Sequence, residues 1–189
     1  EFTQAAQESG AELWATLLSS AHYNFRIPSE DDYRWQLNTA VACGCKGIAW
    51  FRLNDKLVAS DYRGSPIDEF GEKTTHYYDL ARVQKRFNVH YAKLFYQLDF
   101  INGYFVGKNY GSYNSFDNGA HPLIDLAYCR NGLLSFFKDK AGVDYLVVLN
   151  TSQSEACHMV ISFSDKVKTA DLIYYNGNMA KNFFVREER

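Results

Sequence analysis

The period of the apolar positions changes along the chain, and the changes mark its elements. Leu13-Trp14-Ala15-Thr16-Leu17-Leu18 is a short continuous apolar run between Gly10 and the polar Ser19-Ser20-Ala21-His22-Tyr23-Asn24, which reads as a buried strand. Tyr33, Leu37, Ala40 and Val41 then recur at helical spacing behind Pro28-Ser29-Glu30-Asp31-Asp32. Ser29 suits an N-cap, the acids suit the first turn, and Asp32 stands where a capping box places its carboxylate. Gly44 stops this helix, predicted over about Glu30 to Cys43. Past Gly47, Ile48-Ala49-Trp50-Phe51-Arg52-Leu53 follows as a second buried strand. Strand, loop, helix and strand over Leu13 to Leu53 make a βαβ crossover, so the strands should be parallel and adjacent.

Upstream, Glu1 to Gly10 is polar and small and reads as the end of a helix. Downstream, Asn54 to Lys73 is a polar loop with a turn at Pro66-Ile67-Asp68-Glu69-Phe70-Gly71. Thr74 or Thr75 then caps a long helix whose apolar face is Leu80, Val83, Phe87, Tyr91, Leu94, Phe95 and Leu98, with Lys85, Arg86 and Lys93 on its solvated side. Beyond about Asp99 the pattern becomes β-like. Gly103, Gly107, Gly111 and Gly119 punctuate a Tyr- and Asn-rich stretch, and short apolar runs follow. These are Leu123 to Tyr128, Leu133 to Lys138, Tyr145 to Asn150, His158 to Phe163 and Ala170 to Tyr175, separated by turn residues. Met159, Ile161 and Phe163 alternate with Val160, Ser162 and Ser164, a strand with one inner face. The expected organisation is an α/β segment over 1–98 and an all-β domain, a small antiparallel β-sandwich or barrel, over 99–189.

Composition narrows the partners more than the fold. A net charge of −2 and a pI near 6.2 give no reason to propose nucleic acid or an anionic membrane. No apolar run approaches the 18 or so residues of a membrane span, so a soluble chain is expected. The 14 Tyr and 14 Phe suit β structure and sugar-stacking sites, and equally any large core. Cys43 and Cys45 flank the helix-ending glycine, while Cys129 and Cys157 fall in apolar surroundings. A C-x-C pair without a second pair at metal spacing argues for free buried thiols rather than zinc. The chain begins Glu1-Phe2 without Met or a leader pattern, so its beginning is expected to be processed, engineered or missing.

Several motifs together resemble a known family. Arg26-Ile27-Pro28-Ser29-Glu30-Asp31-Asp32, then Cys43-Gly44-Cys45-Lys46-Gly47-Ile48-Ala49-Trp50-Phe51, then Ile67-Asp68-Glu69-Phe70-Gly71-Glu72-Lys73-Thr74 are similar to the last two βα units of a (β/α)8 barrel. The barrel they resemble is that of retaining glycoside hydrolases in the clan containing family 42 β-galactosidases. A small β-sandwich often follows that barrel, and Leu133 to Phe137 with Tyr145 to Ser152 resembles its strands. The resemblance implies the C-terminal portion of a glycoside hydrolase-like protein of the TIM-barrel class, β-galactosidase-like, with a carbohydrate ligand and no cofactor. It also implies a periplasmic or extracellular location. Two departures qualify it. A complete barrel takes roughly 250 residues, so about six βα units would lie in a missing N-terminal portion or another chain. The clan's nucleophilic Glu belongs at the end of the seventh strand, where this chain has Leu18-Ser19-Ser20-Ala21-His22. Glu12 sits at the opposite end of that strand, and retaining hydrolysis needs two carboxyls roughly 5 Å apart. This chain alone is therefore expected to be inactive and its catalytic residues are unassigned.

Ligands of α/β folds sit at the C-terminal ends of the strands, which selects His22 and Tyr23 after the first and Trp50 and Arg52 at the second. Trp50 could stack on a sugar or be a core or rim tryptophan; Arg52 could hold a hydroxyl or carboxylate, or pair with a neighbouring acid. Asp55 and Asp61 are loop acids, either catalytic substitutes or solvated. His76, His90, His121 and His158 show neither metal spacing nor a partnered nucleophile, so no metal is proposed. Gly103, Gly107 and Gly111 fit no nucleotide-binding loop. The competing reading is a non-catalytic carbohydrate-binding or structural module, in which the β domain matters and the α/β part is scaffold.

Overall fold

A computed structural model describes residues 2–55, 61–110 and 114–186. Its first half runs α1 (Phe2–Ser9), β1 (Trp14–Leu18), α2 (Glu30–Ala42), β2 (Gly47–Phe51) and α3 (Thr75–Phe87). The α2 start carries the expected capping box: Asp32 N–H donates to the Ser29 hydroxyl at 3.3 Å, and Ser29 N–H donates to the Asp32 carboxylate at 2.8 Å. After the last turn Gly44 takes φ +89°, a left-handed conformation that closes the helix at little steric cost. β1 and β2 pair in parallel, with Trp14 opposite Gly47 and Leu18 opposite Phe51.

One face of this pair is covered. Tyr33, Leu37 and Val41 of α2 and Leu80 and Val83 of α3 form a core against which Leu17, Ile48 and Trp50 pack. Burying each such side chain contributes roughly 1.5–3 kcal/mol. The other face is open: Trp14 is 67% exposed and Phe51 39%. The strands are thus covered on one side, where the sequence led us to expect full burial. A continuous apolar run records two apolar faces, and the helices of this chain reach only one. At the end of β1 the Gln36 amide brackets Leu18, accepting from its N–H at 2.8 Å and donating to its carbonyl at 3.0 Å.

The long helix is subdivided. α3 passes through one π-helical turn, Asn88–Ala92, into α4 (Lys93–Gln97), with Phe87 stacked on Phe95 at 6.0 Å. Thr74 occupies the N-cap position but makes no side-chain cap bond; its hydroxyl donates to the carbonyls of Ser65 at 2.7 Å and Pro66 at 3.1 Å, tying the helix to the preceding loop. No helix of the described residues is long and apolar enough to cross a membrane.

The second half is built of strands: β3 (Asp99–Gly107), β4 (Ile124–Tyr128), β5 (Asn131–Lys138), β6 (Asp144–Asn150), β7 (Val160–Phe163), β8 (Thr169–Ile173) and β9 (Met179–Val185). They form small antiparallel sheets ordered β3-β5-β6, β4-β7 and β8-β9. β3 and β9 escaped the sequence reading. β3 contains Gly103 and a bulge between Phe100 and Asn102, features that depress local strand propensity, and its pairing with β5 supplies the order. Val106, Ile124, Leu134 and Phe136 form a core joined by Leu146, Met159, Ile161 and Phe163, so strands β3, β5 and β6 share apolar contacts with β4 and β7.

Cys129 and Cys157 correct the expectation of free thiols: they form a disulfide across a separation of 28 residues, while Cys43 and Cys45 are free. Sequence spacing is silent on this pairing because it depends on β4 and β7 lying side by side. The halves are packed together. Ala42, Phe105 and Leu133 form a further core with Val147 and Leu149, and Trp35 Nε1 donates to the Thr151 carbonyl at 3.1 Å. The Lys46 ammonium donates to the Phe95 carbonyl at 3.1 Å and to that of Leu98. Helix α2 is therefore held between the parallel pair and the three-stranded sheet.

Candidate functional site

The C-terminal ends of β1 and β2 are locked together by buried serines. Ser19 N–H donates to the Phe51 carbonyl at 2.8 Å, and its hydroxyl to that of Arg52 at 2.9 Å. Ser20 Oγ accepts from Arg52 N–H at 3.2 Å, and the Tyr33 hydroxyl donates to the Ser19 carbonyl at 3.0 Å. Ala21 and Arg63 exchange backbone hydrogen bonds at 2.9 and 3.0 Å, bringing the loop that carries Tyr62 against the end of β1.

Aromatic rings converge on this platform. His22 stacks on Tyr62 with centroids 5.6 Å apart and lies 5.8 Å from Phe51, 5.5 Å from Tyr23 and 5.2 Å from Phe25. The Arg52 guanidinium sits 4.8 Å from the centre of the Tyr62 ring, and its Nε donates to the Asn54 carbonyl at 2.5 Å. Tyr23, at φ +49°, is 72% exposed. His22 Nδ1 is buried and makes no hydrogen bond among the described residues. The cluster sets partly exposed aromatic rings beside a guanidinium and an imidazole.

Of the residues singled out from the sequence, the structure brings His22, Tyr23 and Arg52 together and leaves Trp50 elsewhere. Trp50 points to the helical face, edge-on to Tyr33 at 5.6 Å, with Nε1 donating to Gln84 Oε1 at 2.9 Å. Side chains alternate along a strand, so Phe51 takes the face that Trp50 does not. Phe25, Phe51 and Tyr62 were missed. Alternation could have found Phe51; no local signal could have found Tyr62, which arrives from a loop. The Asp55 carboxylate accepts a hydrogen bond from the Ser65 hydroxyl, Asp61 is exposed next to Tyr62 in sequence, and Glu12 is exposed before β1.

Perturbed ionisations lie mainly outside this cluster. A hydrogen bond from Arg82 holds Glu30 below its usual range against a desolvation penalty, with the charges of Arg82, Arg34 and Arg86 adding to it. Burial would raise Asp32, but hydrogen bonds from Ser29 and Arg26 outweigh it and hold that carboxyl low. Burial raises the Cys43 thiol and pushes Cys45 up to about 11. Among the described residues no group of three or more His, Cys, Asp or Glu is placed to hold a metal ion. No protein-family model matches the chain, and no curated protein matches it.

Proposed function

We propose that the chain is the C-terminal portion of a glycoside hydrolase-like protein, with a TIM-barrel tail that supplies part of a sugar-binding mouth and an appended β-sandwich. One observation carries this reading: a parallel βαβ unit whose outer face is packed by helices, whose inner face is open, and whose strand ends bear the cluster of His22, Tyr23, Phe25, Phe51, Arg52 and Tyr62. A barrel strand is covered by helices outside and by other strands' side chains inside, so Trp14, Thr16 and Ala49 are the residues that further strands would cover, while Phe51 at the strand end faces the mouth. The Cys129–Cys157 disulfide suits an oxidising periplasmic or extracellular compartment. The chain's part in catalysis is to bind and orient sugar, since the end of β1 offers Ser19 and Ser20 where the resemblance calls for a carboxylate.

The test is titration of the purified chain with β-galactosides, followed by NMR chemical shifts, together with a panel of aryl glycosides assayed for hydrolysis. The expected result is saturable shifts at His22, Tyr23 and Arg52 that disappear in Phe51→Ala, with no turnover. Absence of saturable shifts, or shifts that persist in Phe51→Ala, overturns the mouth. Turnover by this chain that is lost on mutating Asp55 or Asp61 overturns the division of labour.

A further inference from the structure

A cleft lies where α2 meets the loop after β6, sharing no lining residue with the aromatic cluster. It consists of two cavities of about 550 and 500 Å³ that share Trp35, Ser152, Gln153, Ser154 and Glu155. That size suits a small ligand. We propose that the first of these cavities is a second saccharide site, one that takes an anionic sugar. The position of this site is independent of the mouth, but the choice of a sugar as its ligand rests on the proposed function.

The cleft is prebuilt. Asn150 Oδ1 accepts from Ser152 N–H at 2.9 Å, and Asn150 Nδ2 donates to the Glu155 carbonyl at 2.7 Å. Ser152 Oγ accepts from the N–H groups of Ser154 at 3.3 Å and Glu155 at 3.1 Å. A loop ordered by its own side chains loses little entropy when a ligand arrives. Thr151, only 2% exposed, is a lining residue whose hydroxyl oxygen has no hydrogen-bond partner among the described residues, while its carbonyl holds Trp35 Nε1.

The rest of the lining pairs aromatic surface with positive charge. Trp35 and Tyr110 contribute rings, and the Lys108 ammonium stands 5.0 Å from the centre of the Tyr110 ring. Lys108 makes no ion pair among the described residues. Arg130 reaches Glu155 at 3.3 Å, but both side chains are largely exposed, so the pair is weak and a ligand anion can compete for the guanidinium. Two cations against one carboxylate leave the cavity a net positive site, while Ser152, Gln153 and Asn131 offer the amide and hydroxyl partners that sugar hydroxyls need. A ring bearing hydroxyls and one carboxylate or sulfate matches that set.

The experiment is calorimetric titration of the full chain with an oligogalacturonide, a sulfated galactan oligosaccharide and a neutral galacto-oligosaccharide, at low and raised salt. At least one anionic sugar should bind at least 10-fold more tightly than the neutral one, and the preferred arm identifies carboxylate or sulfate as the anion. Lys108→Ala and Arg130→Ala should each weaken that binding about 10-fold, and Tyr110→Ala should weaken it for every sugar. Anionic-sugar binding that survives both cation substitutions but is lost in Phe51→Ala belongs to the mouth and overturns the proposal. Equal affinity for the neutral sugar, absence of saturable binding, or binding indifferent to both cation substitutions overturns the proposal.

Discussion

Tyr33→Phe removes one oxygen from the joint between α2 and the end of β1. Tyr33 is 0% exposed and its hydroxyl donates at 3.0 Å to the carbonyl of Ser19, itself 0% exposed. The phenylalanine ring still fills the space against Trp50, so apolar burial is conserved and only the hydrogen bond is lost. A buried carbonyl deprived of its donor costs about 1–3 kcal/mol. For a chain of 189 residues that is roughly a 2–12 °C fall in Tm, at about 2–4 °C per kcal/mol. The substitution has a second signature. Burial, with the charges of Asp79 and Asp32, raises the Tyr33 pKa above its ordinary value. Below about pH 10, the unfolded phenol's pKa, both states keep the proton and this contribution is fully present. As pH rises further the unfolded chain releases its proton and the folded chain does not, so stability falls, at up to about 1.4 kcal/mol per pH unit for one group. Urea unfolding of wild type and Tyr33→Phe between pH 8 and 11 reads both effects. The variant should be less stable at pH 8, and the gap should narrow above pH 10. A variant within about 0.5 kcal/mol of wild type at pH 8, or a gap that stays constant with pH, refutes the reasoning.

Gly107→Ala should be strongly destabilising, by about 2–4 kcal/mol, because φ is +80° and an added Cβ would stand 2.2 and 2.4 Å from the backbone carbonyl oxygens of Cys129 and Arg130. Gly142→Ala is the control: its φ is also positive, at +86°, but nothing stands within 4 Å of the new Cβ, so it should cost about 1 kcal/mol; equal losses in chemical denaturation would remove the steric argument. Reducing the Cys129–Cys157 bond, whose cysteines lie 28 residues apart, should lower stability by about 3–4 kcal/mol on the chain-entropy model, read as a reductant-dependent shift in the unfolding midpoint that vanishes in the double Ser variant. Cys45, half-buried with its thiol held up at about 11, should alkylate slowly at pH 7.5 and progressively faster toward pH 11; rapid labelling of the folded chain at neutral pH would contradict the raised pKa.

The βαβ unit was legible because each of its parts is locally encoded. The Ser29–Asp32 cap, the helical spacing of Tyr33, Leu37 and Val41, and Gly44 all act within a few residues of themselves. The alternating Met159, Ile161 and Phe163 were legible for the same reason, since pleat parity is a property of the strand alone. Tertiary structure decided what depends on distant partners. It ordered the glycine-bearing β3 through β5, joined Cys129 to Cys157, and placed Tyr62 beside His22 and Arg52 from a loop of no regular pattern. It also separated Trp50 from Phe51, adjacent residues of equal apolar character, because the helices cover one face of the parallel pair and leave the other open. An apolar pattern states which residues favour burial; which of them are buried depends on where the rest of the chain comes to lie.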